Sequence, residues 1–242
     1  MGKGKKQQES DSGLLKVRFS IGAKLITIIT IIVLVSLGSI IALVSWLVHE
    51  DLRLMAEENN FEVNRRSALE AEYTLSTMRS NSLIYMQTHA ALGAVSALAG
   101  ETTEFFFTQN PLVAAMIFSS GGTEDEFLVN RRFFLSRSID EELVELFPVR
   151  HRSTLRRAAA GETVLINAAP WFSTPIIALF FPWQGGGAAV LFAPGNLNDT
   201  FGFGTNQSYL INDSGDMLIH AEYDLVLAGR NVGDEDFIRD IT

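Results

Sequence analysis

Residues 25–48 read LITIITIIVLVSLGSIIALVSWLV, and the stretch contains no charged side chain. Sixteen of its 24 residues are leucine, isoleucine or valine. As an α-helix it would measure ~36 Å, which is enough to cross a hydrocarbon core of ~30 Å with some tilt. Trp46 lies near one end, where an amphipathic ring favours the membrane–water interface. The stretch therefore predicts a transmembrane helix.

Two other interpretations of the apolar stretch fit its length and composition less well. The apolar region of a cleaved signal peptide runs ~7–15 residues and ends in a small-x-small site, whereas this one is longer and continues through Trp46 to Glu50. A buried helix of a soluble protein would carry a polar face, which is missing here. We therefore interpret the stretch as a retained anchor in the lipid bilayer.

The charged residues are sorted on either side of this anchor. All five lysines and Arg18 fall within residues 1–24, which carry a net side-chain charge of +4. Residues 49–242 contain 13 arginines and 26 acidic residues, a net charge of −13. The positive-inside rule makes residues 1–24 a basic cytoplasmic tail and places residues 49–242 outside the cell membrane. The acidic balance argues against nucleic acid as a partner, because phosphate binding needs clustered lysine and arginine.

The sequence offers no catalytic constellation. The absence of cysteine excludes disulfides, zinc ribbons and thiol nucleophiles. The four histidines lack metal-ligand spacing, and neither HExxH nor GxSxG occurs. Gly185–Gly187 is not a phosphate loop, since no Lys-Ser/Thr follows, and Gln184–Gly187 is predicted to be a hairpin turn. The acidic clusters Glu124–Glu126 and Asp140–Glu142 are predicted to be solvated surface. We therefore predict no catalytic residue, no metal and no cofactor in this chain.

Residues 49–100 predict a long extracytoplasmic helix. The segment has no proline and is rich in helix-forming residues, and Gly100 is a suitable C-cap. Two shorter helices with a break near Asn59-Asn60 are the alternative. One helix of ~75 Å would be marginal without a partner, so we predict a parallel homodimer of this helix. The expected contact stripe is formed by Leu52, Met55, Leu69 and Tyr73.

Residues 101–242 are punctuated by short apolar runs and turn residues. A buried strand is predicted at residues 112–118, after Pro111. Further strands are predicted at Thr163–Asn167, Ile176–Phe181, Ala188–Phe192, Ser208–Asn212 and Met217–His220. Short helices are predicted at Glu141–Phe147 and Ser153–Ala160, separated by Pro148. A helix followed by a mainly antiparallel sheet with interspersed helices indicates an α+β fold.

A small-ligand site is predicted around the central strands. Arg152 precedes a predicted helix, where its planar guanidinium can receive a carboxylate. Trp171, Phe172 and Trp183 flank the strand Ile176–Phe181, and aromatic side chains with one arginine form a plausible pocket. The alternative is that the tryptophans are core residues and Arg152 pairs with a surface acid.

The stretch from Ser208 to His220 predicts a hairpin with its turn at Asp213–Asp216, and Asp224-Leu225 and Gly229–Asn231 follow it. With the segment His151–Phe181, this layout resembles Cache domains, the PAS-like extracytoplasmic sensors of bacterial receptors. The resemblance implies a ligand-sensing region behind a membrane anchor in the bacterial inner membrane. Of the family's amino-acid-binding motif only Arg152 is matched, so an amino-acid ligand is not expected.

The resemblance also implies an output outside this chain. The sequence looks like the sensor half of spirochaete-type adenylate/guanylate cyclases, and chemotaxis receptors share the same sensor. A second sensor module and a second membrane span would follow in such a receptor, so the chain is expected to be a truncated receptor. The alternatives are a membrane-anchored hydrolase, which the missing constellations disfavour, and an adaptor that binds protein without a small molecule.

Overall fold

The first helix, α1, runs from Ile21 to Leu92 in a computed structural model that describes residues 20–92, 97–118, 125–202 and 208–235. Most of the predicted basic tail lies outside these residues. The chain divides into two units, residues 1–59 and 60–242. In the first unit the side chains of residues 25–48 are exposed and uncharged. This part of α1 is long and apolar enough to span a membrane.

Polar side chains within the apolar stretch bond to their own helix. The hydroxyl of Thr27 donates to the carbonyl of Ala23 over 2.8 Å, and the hydroxyl of Ser39 donates to Val35 over 2.8 Å. A hydroxyl bonded in this way presents no unsatisfied donor to its surroundings. Thr27 and Ser39 are therefore compatible with a hydrocarbon environment.

The helix continues through Asn59-Asn60, so the break considered there is absent. The prediction of Gly100 as a C-cap is wrong, because Gly100 lies inside a second helix, α2, from Ala97 to Gln109. A glycine in a helix costs ~1 kcal/mol, and the buried Phe106 and Phe107 that follow it offset this cost by packing into the core.

Residues 60–242 form an α+β unit around a five-stranded antiparallel sheet, which confirms the predicted fold class. The strands are β1 (Val113–Phe118), β2 (Glu126–Val129), β3 (Val164–Asn167), β4 (Ile177–Trp183) and β5 (Gly186–Phe192), in the order β2-β1-β5-β4-β3. A separate two-stranded hairpin joins β6 (Leu210–Ile211) and β7 (Met217–Ile219). Six shorter helices complete the described residues: α3 (Arg131–Arg137), α4 (Leu143–Arg150), α5 (Arg152–Ala159), α6 (Ala169–Phe172), α7 (Leu197–Gly202) and α8 (Tyr223–Leu227).

Both faces of the sheet are covered, and alternate residues of β4 enter opposite cores. Leu179 and Phe181 pack toward α1 and α2, whereas Ala178 and Phe180 pack toward α3 to α6. Burial on both faces explains why β4 and β5 are almost continuously apolar in sequence. Each fully buried phenylalanine contributes ~1.5–3 kcal/mol to the stability of these cores.

The predicted hairpins form with well-defined turns. Gln184 and Gly185 both have positive φ, 42° and 80°, as a two-residue type I′ turn requires, so β4 and β5 meet more tightly than the predicted turn over Gln184–Gly187. In the β6–β7 hairpin the side-chain Oδ1 of Asn212 accepts from the amides of Ser214 and Asp216.

Two local predictions need correction. Pro148 does not separate two helices but lies inside α4, and the break falls at His151. The strand β2 and the helix α3 were not predicted. The side chain of Asn130 caps α3 by accepting from the amide of Phe133, and Ser138 ends the helix in the left-handed conformation.

Candidate functional site

A cavity of about 590 Å³, here called cavity A, lies between the C-terminal end of α1, the helix α2 and the edge strand β2. Its apolar wall includes Phe107 and Leu128, and its polar wall includes His89, Thr103 and Asn130. Mixed lining of this kind suits a small organic group, since the apolar wall supplies contact area and the few polar groups fix orientation. Cavity A lies wholly within residues 60–242.

His89 is a buried polar residue of this site, with 4% of its surface exposed. Its Nε2 lies 2.7 Å from Oε1 of Glu126, the first residue of β2. An ionised carboxylate only accepts hydrogen bonds, so Nε2 carries the hydrogen in this contact. A bond to a charged acceptor is stronger than a neutral one. Glu126 therefore fixes the imidazole of α1 against the edge of the sheet.

Tyr85, one turn earlier on α1, extends this network to α2. Its hydroxyl donates to Oγ1 of Thr103 over 2.5 Å, and the Thr103 hydroxyl donates to the carbonyl of Ala99 over 2.7 Å. The Tyr85 oxygen also lies 3.4 Å from Nδ1 of His89. Burial raises the pKa of Tyr85 above its usual value, so the phenol remains a protonated donor. Hydrogen bonds thus connect α1 to α2 through Tyr85 and α1 to β2 through His89 at the wall of cavity A.

The outer rim of cavity A is charged. Arg132 pairs with Glu104 over 2.8 Å, and both side chains are mostly exposed, so the pair contributes little to stability. Asn130 is more firmly held, because its Nδ2 donates to the carbonyl of Val113 over 2.8 Å. The rim can therefore rearrange around a ligand while the β2–α3 junction stays in place.

A second cavity, cavity B, of about 490 Å³, extends from the outer edge of β2 toward the start of α4. Phe127 lines it together with Glu141, Glu142 and Glu145 near the start of α4. Cavities A and B share four lining residues, Thr103, Leu128, Val129 and Arg131. The outer edge of β2 therefore lies between the two cavities.

The residues predicted to bind a ligand occupy different environments. Phe172 is buried in the core beneath α3 to α6, and Trp171 packs beside it with its indole Nε1 donating to the carbonyl of Leu143 over 3.0 Å. Trp183 is buried in the opposite core, on the α1 side of the sheet. Arg152 is exposed at the start of α5 and makes no ion pair within the described residues. The sheet separates Trp183 from the other two aromatic residues, so the four do not surround a common space.

Burial also affects the polar atoms of His151 and Trp183. Burial and the charge of Arg150 lower the pKa of His151, whose ring packs 4.4 Å from that of Phe147. Within the described residues the indole nitrogen of Trp183 is buried without a hydrogen-bond partner, an exception to the usual pairing of buried tryptophan N–H groups. In the part of the chain that the structure describes, no group of three histidine or acidic side chains is arranged to hold a metal ion.

Sequence reasoning missed His89 and Glu126. The two residues are 37 positions apart, and Glu126 was interpreted as part of a solvated acidic cluster. The position of His89 could have indicated a buried polar site, because His89 lies on the same helix face as the buried Tyr85 and Met86. Comparisons of the chain with protein-family models, curated proteins and solved structures give no match.

Proposed function

We propose that the chain is the ligand-sensing region of a bacterial membrane signalling receptor. In this proposal residues 25–48 cross the inner membrane, the basic tail is cytoplasmic, and residues 49–242 form an extracytoplasmic Cache-like sensor. The charge sorting of the sequence supports the orientation. The antiparallel sheet that follows a long helix supports the Cache-like assignment.

The observation that carries the proposal is the position of cavity A on α1. One continuous helix contains both the membrane-length apolar stretch and His89, which lines the cavity. A ligand in cavity A would contact α1 at His89 and α2 at Thr103, and it would favour whichever arrangement of the two helices gives it the better contacts. Sensing would thus act directly on the helix that leads to the membrane.

The output of this receptor belongs to the same proposal. The resemblance found in the sequence implies that the output is an adenylate/guanylate cyclase, and a chemotaxis receptor is the alternative. Cyclic-nucleotide levels in cells that express this protein, measured with and without a ligand of the sensor, distinguish the two. A rise or fall with ligand supports the cyclase, and unchanged levels in a responding cell contradict it.

Ligand binding in cavity A is tested by thermal unfolding of the full chain in lipid nanodiscs against a library of metabolites and short peptides. A ligand at 100 times its Kd should stabilise the fold by ~2.7 kcal/mol. Gly100→Leu should abolish this stabilisation, because Gly100 lines cavity A and a Cβ there meets nothing within 4 Å. The added side chain would occupy space at the wall of the cavity, and the substitution would remove the helix cost of glycine.

Glu101→Leu is the matched control. Glu101 is the next residue of α2, is exposed and lines neither cavity, so this variant should respond to ligands as the unaltered chain does. Stabilisation that survives Gly100→Leu in full, or a library without any stabilising compound, would contradict a sensor that binds its ligand in cavity A.

A further inference from the structure

Among the residues that the structure describes, the strand β2 forms an unpaired edge of the sheet. In its antiparallel pairing with β1, the amide of Asn130 donates to the carbonyl of Ala114, and Leu128 lies opposite Met116. Hydrogen-bonded pairs alternate along such a ladder, so the backbone groups of Phe127 and Val129 point away from β1. Within the described residues no group bonds to these outward amides and carbonyls.

The opposite edge of the sheet is closed. The carbonyl of Leu165 in β3 accepts from Nδ2 of Asn212 over 2.9 Å, and Nδ2 of Asn167 donates to the carbonyl of Val226 over 2.7 Å. The segment with β6, β7 and α8 thus covers β3. Exposed strand edges are normally protected by charge, proline or covering elements. Within the described residues, the outward backbone groups of β2 therefore remain free to pair with another strand.

A strand added beside β2 would project its side chains toward both cavities. Successive residues of a strand point to opposite faces, and the two cavities extend from the outer edge of β2 in different directions, cavity A toward α1 and α2 and cavity B toward α4. Cavity A offers the apolar surfaces of Phe107 and Leu128 to one side chain. Cavity B would receive the next side chain along the added strand.

Cavity B is suited to a cation. It is lined by Glu141, Glu142 and Glu145 and by one guanidinium, that of Arg131, which is 3.7 Å from Glu141. Glu142 and Glu145 make no ion pair within the described residues. The three carboxylates cluster at the N-terminal end of α4, and a lysine or arginine from a partner would balance their charge.

We propose that β2 binds an extended peptide as an added edge strand, with an apolar side chain in cavity A and an adjacent basic side chain in cavity B. The inference rests on the proposed function, of which it names the ligand class. Main-chain hydrogen bonds to the outward groups of Phe127 and Val129 would supply affinity, and the two cavities would supply specificity.

A second copy of this chain fits the edge less well than a basic peptide. Two β2 strands paired about a two-fold axis normal to the sheet would place identical residues on the same face. The three glutamates of one copy would then lie on the same face as those of the other, without a cation to balance them. The charge of cavity B therefore favours a basic partner.

The test measures binding of a capped five-residue peptide of alternating lysine and phenylalanine to the full chain in nanodiscs. The same peptide with glutamate in place of lysine is the charge control. A third peptide, N-methylated at the amides that would donate to β2, keeps its side chains but loses its strand hydrogen bonds. We expect the glutamate peptide not to bind and N-methylation to weaken binding about tenfold or more.

Substitutions in the chain itself test the same contact, each with a control variant. Val129→Pro removes an outward amide and leaves the ladder bonds of the neighbouring residues intact, so it should weaken the peptide about fivefold or more. Val129→Ala keeps the amide and is its control. Glu142→Lys with Glu145→Lys should abolish binding of the lysine peptide, whereas Glu101→Lys, outside both cavities, should have little effect.

Peptide binding that is equal for the lysine and glutamate versions, or unaffected by N-methylation and by Val129→Pro, would overturn the proposal. Self-association of the chain through β2, lost in Val129→Pro without any peptide binding, would assign the edge to a second copy and overturn it as well. A metabolite that stabilises the chain and is blocked by Gly100→Leu, together with no peptide binding, would leave the sensor function standing and reject only the peptide.

Discussion

Tyr85 and His89 are the residues through which α1 contacts the wall of cavity A. Both are buried, and each bonds to a different element: Tyr85 to Thr103 of α2 and His89 to Glu126 of β2. Removing one partner of a buried hydrogen bond costs more than the net bond itself, because the remaining group is left unsatisfied. The stability of the site should therefore respond to single-atom changes.

Tyr85→Phe should lower the free energy of unfolding of residues 60–242 by ~1–3 kcal/mol, because the Thr103 hydroxyl loses its donor. Denaturant unfolding of the full chain in nanodiscs, followed by tryptophan fluorescence, measures the change. Tyr73→Phe is the control, since Tyr73 is exposed on the outer face of the same helix and should change stability very little. Equal effects of the two substitutions would mean that the Tyr85 hydroxyl does not stabilise the site.

Long apolar runs in the sequence predicted the central strands of the sheet, whereas the edge strand β2 was not predicted. β1, β4 and β5 are six or seven residues long and almost entirely buried, so composition alone identifies them. β2 has four residues and begins with an acid, and its pairing with β1 is a long-range contact that local sequence does not encode. The end of the predicted long helix was misplaced as well, because α1 ends at Leu92 and a second helix, α2, continues past Gly100 with Phe106 and Phe107 packed into the core.

The outer face of α1 remains a candidate for pairing with a second copy. Leu52, Met55, Leu69 and Tyr73 are all exposed, and their spacing places them on one side of the helix. We propose that two copies pair along this stripe as a parallel dimer. In such a dimer, a ligand-induced movement of α1 in one copy would also affect α1 of the other copy.

Cysteine crosslinking in membranes tests the dimer, since the chain has no cysteine of its own. Met55→Cys should form disulfide-linked dimers under mild oxidation. Arg53→Cys should crosslink much less, because residue 53 lies well away from the stripe around the helix. Similar crosslinking at both positions, or none at either, would argue for a monomeric tether.

At the scale of the whole molecule, the α+β class and the apolar helix were predictable from the sequence, but the arrangement of the site was not. Trp171, Phe172 and Trp183 lie within thirteen positions of one another, yet the sheet places Trp183 in the opposite core. A strand turns alternate side chains to opposite faces, so closeness in sequence does not bring them into one cavity. The elements around cavity A come from three separate parts of the chain, which only the fold unites.

If cavity A binds a ligand on the outer side of the membrane, that ligand should protect a single cysteine in the cavity wall from labelling. Thr108 is exposed and lines cavity A, so Thr108→Cys should react with a membrane-impermeant maleimide in intact spheroplasts. A stabilising ligand from the library should slow this reaction but leave that of Glu101→Cys unchanged. Labelling of Thr108→Cys only after lysis, or at a rate that no stabilising ligand alters, would contradict the account.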